Sequence, residues 1–415
     1  MCIGDHIIAH LLWADDLILF SDSIKGIQKQ LNGLFKFCSN NMMIVNEVKT
    51  KMMLFGTGIK GEVLFNGKKL DWVDDYKYLG NLISGIKGKA GDVFKNNYNF
   101  LSEKARRAIF LLFKKTKSFG KLSPEIMIHF YNALIKPILL YGSDVWGFNK
   151  KSWDISDKVS KWFIRCILNI KPTTSNLITF GEVGIIPPSI YSKINAMLFY
   201  LRVKSMSEDS MPRIVFNELM KLDSMGFITW ITSIKSLARD YCVDLCNTEY
   251  NDVCIQDLKR SVVSKYQSQW IRSINNIDQN PLLRTYKLFK KSYRMDPYLK
   301  IIKNDCHRTA MCKFRCSSHM LEIERGRHTN PVTPVDQRIC KICNELDNEI
   351  HFLLFCKNND DLRQKFFSEI VRLYPAFTLL LPPNMFVFLL TTEDENILCK
   401  LSKFIFESFK LREMT

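Results

Sequence analysis

The sequence has few acidic residues for its basic content and no long apolar run. Forty-two Asp and Glu stand against 59 Lys and Arg in 415 residues, which gives a net charge of +17. This excess favours a polyanionic partner, nucleic acid first and an anionic membrane surface second. The most apolar tract, residues 377–390, is short and is broken by Pro382 and Pro383. It cannot cross a bilayer core, so the sequence predicts no membrane-spanning segment.

The N-terminus also lacks the basic start of a secretory signal, and the 13 cysteines are an odd number scattered along the chain. Both features argue against a disulfide-bonded secreted protein. We therefore expect a reduced, intracellular protein, located in the nucleus, the cytoplasm or both. In such a protein, closely spaced cysteines are metal ligands more often than disulfide partners.

One group of cysteines has the spacing of a metal site. Cys340, Cys343, His351 and Cys356 follow the pattern Cys-x2-Cys-x7-His-x4-Cys, which offers four zinc ligands within a short span. The sequence therefore predicts a bound Zn²⁺. Two roles are open for it, a nucleic-acid-binding knuckle and a purely structural clip.

The remaining cysteines give a weaker signal. A dense group upstream of the knuckle consists of Cys306, His307, Cys312, Cys316 and His319. A second metal ion is one interpretation of this group, and cysteines packed in a helical core are the simpler one. No histidine lies near the last group, for which we expect core positions: Cys242, Cys246 and Cys254.

The excess positive charge is concentrated in two stretches. Residues 87–121 and residues 284–328 each have a local net charge of +8, and together they account for 16 of the 17 net charges. Aromatic residues interleave with the basic ones, namely Tyr98 and Phe100 in the first stretch and Tyr286, Phe289, Tyr293 and Tyr298 in the second. This pattern favours surfaces that contact phosphates and stack bases, although lysine-rich helices are also common as solvated faces.

Local signals predict both strands and a helix in the first part of the chain. The apolar runs 7–12 and 17–20 flank Trp13-Ala14-Asp15-Asp16, which predicts a β-hairpin with two acids at its tip. Ser23 is expected to cap the helix that follows. Farther on, the sequence predicts short strands at residues 43–45 and 52–55 and a tight hairpin turn at Asn66-Gly67.

From about residue 87 the pattern becomes helical. Pro124 lies in the first turn of a predicted helix that Pro137 would end. Residues 171–188 combine Pro, Gly and Thr with little periodicity, and we expect a linker or long loop there. The apolar positions from Ile190 to Leu201 predict an amphipathic helix. The sequence as a whole therefore predicts an α+β chain.

The acids at the hairpin tip have the chemistry of a divalent-metal site. Two adjacent carboxylates on one side of a turn repel each other and need cations. Paired carboxylates that hold two Mg²⁺ ions are what nucleotidyl transfer requires. Taken alone, two adjacent aspartates in a turn are usually just a solvated loop, so the residues around Asp15 and Asp16 decide the interpretation.

The stretch from His10 to Leu17 resembles the aromatic-Ala-Asp-Asp motif of the reverse transcriptases of LINE-type, non-LTR retrotransposons. Further segments resemble later motifs of that family in the same order. These segments are residues 43–46, 49–52, 78–80, 136–147, 181–184, 284–286, 314–319 and 323–327. The resemblance covers nearly the whole chain.

The resemblance implies a domain organisation, an activity and a set of partners. It implies the C-terminal part of a reverse-transcriptase palm (1–83), a thumb-like helical segment (84–170), a helical connector (171–283) and a basic C-terminal region with the zinc knuckle (284–415). The implied activity is RNA-directed DNA synthesis in target-primed reverse transcription, a nucleotidyl transfer that uses Mg²⁺. The implied partners are an RNA template and a DNA target that supplies the primer, with no membrane involved.

Carried over residue by residue, the resemblance makes Asp15 and Asp16 the catalytic palm carboxylates that bind Mg²⁺. Trp13 stands where the family usually has Tyr or Phe, and it would lie beside the primer end. Lys49 would lie near the incoming nucleotide, unless it is a solvated turn lysine.

The family also uses a third aspartate and a fingers region upstream of this hairpin, and many members have an N-terminal endonuclease. We expect none of these within the present chain, which would make it catalytically incompetent by itself. The alternative is a non-catalytic nucleic-acid-binding zinc protein or a decayed transposon reading frame.

Overall fold

The computed structural model describes residues 2–4, 6–86, 92–276 and 278–414. Most of these residues are helical, and the strands among them are short and pair as two-stranded antiparallel hairpins. This composition agrees with the expected α+β class.

The strands are β1 (Cys2–Ile3), β2 (His6–Ile7), β3 (His10–Trp13), β4 (Asp16–Leu19), β5 (Leu64–Phe65), β6 (Lys68–Lys69), β7 (Asp75–Tyr78) and β8 (Asn81–Ser84). The helices up to residue 204 are α1 (Ile24–Asn40), α2 (Asn97–Thr116), α3 (Pro124–Phe130), α4 (Lys136–Leu139), α5 (Ser143–Trp146), α6 (Lys150–Leu168), α7 (Asn176–Val183) and α8 (Pro188–Lys204). The later helices are α9 (Met211–Ser224), α10 (Trp230–Tyr241), α11 (Asp252–Asn275), α12 (Tyr286–Phe289), α13 (Tyr298–Ile301), α14 (Asp305–Arg315), α15 (Glu322–Arg325), α16 (Glu349–Leu354), α17 (Asp360–Leu373), α18 (Pro382–Thr391) and α19 (Glu395–Met414).

The chain forms two compact units, each built from three stretches of sequence. The first unit comprises Met1–Lys104, Ile138–Ile155 and Tyr191–Lys259, and the second comprises Ala105–Pro137, Ser156–Ile190 and Arg260–Thr415. The four consecutive segments that the family resemblance implies remain a prediction.

The first unit contains the predicted N-terminal hairpin. β3 pairs with β4 so that Trp13 lies opposite Asp16, and residues 14 and 15 form the turn. The side chain of Ser23 accepts a hydrogen bond from a main-chain N–H in the first turn of α1, as an N-cap residue does. The hairpin and the helix cap are therefore both confirmed.

A small hydrophobic core joins α1 to the next hairpin. Asn66 and Gly67 connect β5 to β6 with positive φ angles of 50° and 74°, which confirms the predicted turn. The buried side chains of this core are those of Ile27, Leu31, Val63, Phe65 and Leu70.

The strands expected at residues 43–45 and 52–55 are not formed. Among the described residues no strand includes either segment, and Ile44 is almost fully exposed. Met52 makes only an isolated bridge to Trp72. An apolar run becomes a strand only where a neighbouring strand pairs with its main-chain groups, and the local pattern does not reveal that neighbour.

Pro137 does not end the helix that begins at Pro124. A π-helical turn, Tyr131–Ile135, leads into α4, and the Lys136 N–H donates to the carbonyl oxygen of Tyr131, five residues earlier. Proline removes one main-chain donor and its ring crowds the preceding turn. The wider π turn makes room for the ring, so helical backbone continues to the end of α4.

Residues 171–188 are neither a linker nor a long loop. They contain α7, in which every residue from Ile178 to Val183 is buried. A helix that is surrounded by protein is apolar on all sides, and it therefore lacks the periodicity that identifies surface helices. The helix expected from Ile190 to Leu201 is confirmed as part of α8, but its expected amphipathic character is not, because no residue in this range is exposed.

The C-terminal part of the second unit is organised around α19. This helix packs against α14 and α17. The ring of Phe409 stacks on Phe352 of α16 with centroids 4.5 Å apart, and Phe404 stacks on Phe366 of α17 at 4.8 Å. These ring contacts place α16, which contains His351, against the last helix of the chain.

Candidate metal centre

The structure brings the four predicted zinc ligands together in the second unit. The ligand atoms of Cys340, Cys343, His351 and Cys356 all lie within 4.8 Å of one another. Cys340, His351 and Cys356 are buried and Cys343 is half-buried. The set closes around one point, as the ligands of a tetrahedral structural site do.

Local structure explains why this short segment folds into a ligand set. The main-chain N–H of Cys340 donates to the carbonyl oxygen of Glu345 at 2.7 Å, and Asn344 adopts a left-handed φ of 59°. This tight turn brings the first two thiols to one side. Asn348 then caps α16, because its side chain accepts a hydrogen bond of 2.8 Å from the His351 N–H. The cap fixes His351 in the first turn of that helix.

The hydrogen bonding of His351 fits a bound metal ion. Its Nε2 is buried without a hydrogen-bond partner, whereas Nδ1 lies 3.2 Å from Oε2 of Glu345. An unpaired polar atom in the interior is costly, and a metal ion would satisfy it. A carboxylate on the other ring nitrogen is the usual arrangement around a histidine that binds zinc.

The sulfur atoms also fit a metal site. The Cys356 Sγ lies 3.9 Å from the Sγ of Cys340 and 4.0 Å from that of Cys343. Burial, together with the neighbouring thiols, raises the pKa of Cys356 to about 12. A divalent cation would remove the proton and hold the three sulfurs together. The Cys3His cluster could therefore bind zinc.

Among the described residues, the Cys3His cluster is the one set of three or more His, Cys, Asp or Glu side chains that could hold a metal ion. No other cysteine group in those residues has this geometry. Cys312 and Cys316 are buried, as expected for core cysteines, whereas Cys306 is exposed. His319 contacts a carboxylate instead of the thiols. The core positions expected for Cys242 and Cys246 are wrong, since both are exposed, and Cys254 is half-buried.

The two acids of the N-terminal hairpin lie on the surface of the first unit. Asp15 and Asp16 are exposed at the tip of the β3–β4 hairpin, and Trp13 beside them is 67% exposed. Within the described ranges the two acids belong to no group of three potential metal ligands. Lys49 is exposed in a turn, with its N–H bonded to the Asn46 side chain at 3.1 Å. The roles implied for these residues remain predictions.

A buried ionic cluster in the second unit was not expected from the sequence. Glu182 of α7 accepts a hydrogen bond of 2.7 Å from Arg315 Nε and one of 3.0 Å from the Tyr286 hydroxyl. Arg315 also pairs with Asp296 at 2.7 Å, and Asp296 in turn pairs with Lys290. Burial alone would raise the pKa of Glu182, but the charges of Arg315 and Lys290 outweigh burial and lower it. The sequence feature that could have indicated this cluster is the glutamate inside the apolar stretch 178–186.

A second cluster adjoins the helix of the metal centre. Glu349, two residues before His351 in α16, accepts a hydrogen bond of 2.8 Å from Arg284 and lies 3.1 Å from Nε2 of His319. Arg284 also pairs with Glu324 at 2.9 Å. Arg284, His319 and Glu324 come from the motif-like segments 284–286, 314–319 and 323–327 of the sequence. The segments therefore meet around buried charges.

Glycines in the motif-like segments have packing roles. A Cβ atom on Gly181 would lie 2.3 Å from the buried ring of Trp270. Gly184 has a φ of +66° and lies against the main chain of Arg294. In the first unit, Gly80 has a φ of +83° in the β7–β8 turn, next to the ring of Tyr141. Each position therefore requires glycine for steric reasons.

The aromatic residues of the second basic stretch do not form a surface. Tyr286, Phe289, Tyr293 and Tyr298 are all buried, so they cannot stack on bases as the sequence suggested. In the first stretch Tyr98 is buried as well, and its hydroxyl bonds to Asp92. Phe100 is half-buried, and the exposed rings among the described residues of that stretch are Phe110 and Phe119, which the sequence pattern did not single out.

Sequence similarity links the chain to a transposon-derived protein. No protein-family model matches the chain. A putative uncharacterized transposon-derived protein of Caenorhabditis elegans is 28% identical over 149 residues, which are 34% of this chain and 50% of that protein. The chain thus spans about half the length of this relative. No helix in the described part of the chain combines the length and apolar character that a membrane span requires. The similarity supports a transposon origin for the chain.

Proposed function

We propose that this chain is part of an RNA-directed DNA polymerase of a non-LTR retrotransposon, to which it contributes a zinc site and a surface for nucleic acid. The order of the motif-like segments and the similarity to a transposon-derived protein support this origin. The Cys3His cluster supports the zinc. The observation that carries the binding function is a charged and aromatic surface on α2.

This surface, the α2 face, consists of Arg106, Arg107, Phe110, Leu111, Lys114 and Lys115. All six side chains are exposed, and they repeat at intervals of four residues along two adjacent rows of the helix. Phe110 is 62% exposed and packs beside Trp162 of α6, with ring centroids 5.2 Å apart. The guanidinium of Arg106 lies 5.5 Å from the Trp162 ring centroid.

The cations of the α2 face are not neutralised by acids of the protein. Among the described residues, none of Arg106, Arg107, Lys114 and Lys115 forms an ion pair. Three basic residues of the second stretch differ, because Arg308, Arg315 and Lys290 are buried and paired with acids. Free cations beside an exposed ring are what a groove for single-stranded nucleic acid requires. The RNA template and the DNA primer of the implied reaction are partners of this kind.

The role proposed for Asp15 and Asp16, Mg²⁺ binding, depends on further residues. Two Mg²⁺ ions close together need several carboxylates, and Asp15 and Asp16 are two. We propose that they bind Mg²⁺ when a third carboxylate completes the site, with Trp13 near the primer end and Lys49 near the nucleotide. The chain described here then binds nucleic acid without extending it.

The binding function is tested with a triple variant of the α2 face. Arg106→Ala, Arg107→Ala and Lys114→Ala are combined, and fluorescence anisotropy measures binding to labelled single-stranded RNA and DNA between about 50 and 300 mM salt. Each lost phosphate contact should lower the slope of log K against log salt by about 0.7, so the triple variant should lose about 2.

A matched control removes the same charge elsewhere in the second unit. Lys365→Ala, Arg372→Ala and Lys410→Ala are combined; all three residues are exposed and lie on α17 and α19. The control should keep the slope within about 0.7 of the wild-type value. Equal losses in the two triple variants would show that net charge, and not the α2 face, determines binding.

A further inference from the structure

The last helix of the chain ends at the metal centre. Nη2 of Arg412, in the final turn of α19, lies 3.7 Å from the Sγ of Cys340 and 2.8 Å from Oδ2 of Asp347. The Asp347 side chain is fully buried, and its Oδ2 also accepts a hydrogen bond of 2.7 Å from the Glu322 N–H. The guanidinium of Arg412 is therefore shared between a metal-ligand sulfur and a buried carboxylate.

A ring contact joins the same helix to the other side of the centre. Phe409, less than one turn before Arg412, stacks on Phe352 with an interplanar angle of 23°. Phe352 directly follows the ligand His351 in α16. One turn of α19 thus contacts the histidine-bearing helix through an aromatic ring and Cys340 through a cation.

The charge of a loaded site explains why a cation is needed there. Three thiolates and a neutral imidazole around Zn²⁺ have a net charge of −1, which is unfavourable in a mostly buried site. Cys343 Sγ receives a hydrogen bond of 3.2 Å from the Lys357 N–H. Arg363 donates to the carbonyl oxygen of Cys356 at 2.9 Å. The cation that reaches the Cys340 sulfur itself is Arg412.

We propose that Arg412 is a positioning residue of the metal centre, which retains zinc by neutralising the Cys340 thiolate and couples zinc binding to the docking of α19. The inference rests on the zinc site proposed above. Coupling of this kind is reciprocal. Zinc should hold the end of α19 in place, and loss of the guanidinium should weaken the hold on zinc.

The test compares zinc release from the full-length protein and three variants. Arg412→Met removes the charge but keeps a long side chain, and Arg412→Lys keeps a charge. Lys410→Met is the control, since Lys410 is exposed on the same helix and its charge lies over the Phe406 ring. Release of zinc to a chelator is followed with a chromogenic dye. Arg412→Met should weaken zinc binding about 10- to 100-fold, as loss of outer-shell partners does at metal sites. Arg412→Lys should be intermediate, and Lys410→Met should behave as wild type.

Hydrogen exchange of peptides from residues 404–414 provides the second measurement. Removal of zinc from the wild-type protein should increase exchange there, and Arg412→Met should show this increase with zinc still present. If Arg412→Met releases zinc at the wild-type rate, the residue serves only Asp347 and the inference is overturned. Exchange in 404–414 that does not respond to zinc overturns the coupling. A wild-type protein that contains no zinc refutes the metal site itself, which distinguishes failure of the site from failure of the role given to Arg412.

Discussion

Arg315 donates a hydrogen bond of 2.7 Å from its Nε to Oε1 of Glu182, a residue 133 positions earlier in the chain, and both side chains are almost completely buried. Tyr286 donates to the other carboxylate oxygen of Glu182 at 3.0 Å. The three residues come from three separate motif-like segments of the sequence. Their meeting point indicates that these segments specify how the helices of the second unit pack.

The ion pair between Arg315 and Glu182 should be a major determinant of stability. Arg315→Met leaves Glu182 and Asp296 without their shared cation, and loss of one partner of a buried pair costs about 3–5 kcal/mol. Urea unfolding measures the loss. Lys403→Met, which removes an exposed partner of Glu407, is the control and should cost less than about 1 kcal/mol. If Arg315→Met also cost less than about 1 kcal/mol, the buried cluster would not be a major determinant of stability.

The same pair should make stability depend on pH in a defined direction. Because the pKa of Glu182 is lowered from 4.5 in the folded protein, its ionised form contributes stability above pH 4.5. This contribution is lost as the pH falls through the folded-state pKa. Glu182→Gln should therefore be less stable than wild type at neutral pH, and the difference should shrink below pH 4.5. Unfolding curves of the two proteins over this range check the sign, and a difference that grows on acidification would be evidence against it.

The zinc site should lose its metal when one ligand is removed. The purified, reduced protein should contain about one zinc per chain, and Cys343→Ser should contain much less, because three ligands hold the ion poorly. Cys399→Ser, at an exposed cysteine of α19, should keep the wild-type content. Elemental analysis gives the result directly. Equal zinc contents in the three proteins would exclude Cys343 as a ligand.

The chain should not extend a primer by itself. Under the proposed function, Asp15 and Asp16 are two of the several carboxylates that two Mg²⁺ ions need, and among the described residues they belong to no larger group of potential metal ligands. A primer-extension assay on an RNA template should give background incorporation. Fusion to the palm and fingers segment of an intact relative should restore extension, and Asp15→Asn should abolish it. Robust extension by the unfused chain would show that Asp15 and Asp16 suffice for primer extension without a further carboxylate.

Local sequence determined the features whose partners lie within a few residues. The hairpin at Asp15-Asp16, the cap at Ser23 and the turn at Asn66-Gly67 depend on short-range steric and hydrogen-bonding rules, and all three are present. The Cys3His cluster is of the same kind. Its four ligands span residues 340–356, and a turn and a helix cap are enough to bring them together.

Tertiary structure alone decided which charged and aromatic residues are buried. The sequence shows Glu182, Arg315 and Tyr286 as isolated residues, and their burial depends on one another across more than 100 positions. The buried helix α7 hid its periodicity because protein surrounds it. In the second basic stretch, Lys290, Arg308 and Arg315 are buried because acids neutralise them, namely Asp296 and Asp305 of the same stretch and the distant Glu182. The contact between Arg412, at the end of α19, and Cys340 likewise joins residues that are distant in the sequence. Burial of a charge is favourable only where a partner is present, and the folded chain, not the local sequence, supplies that partner.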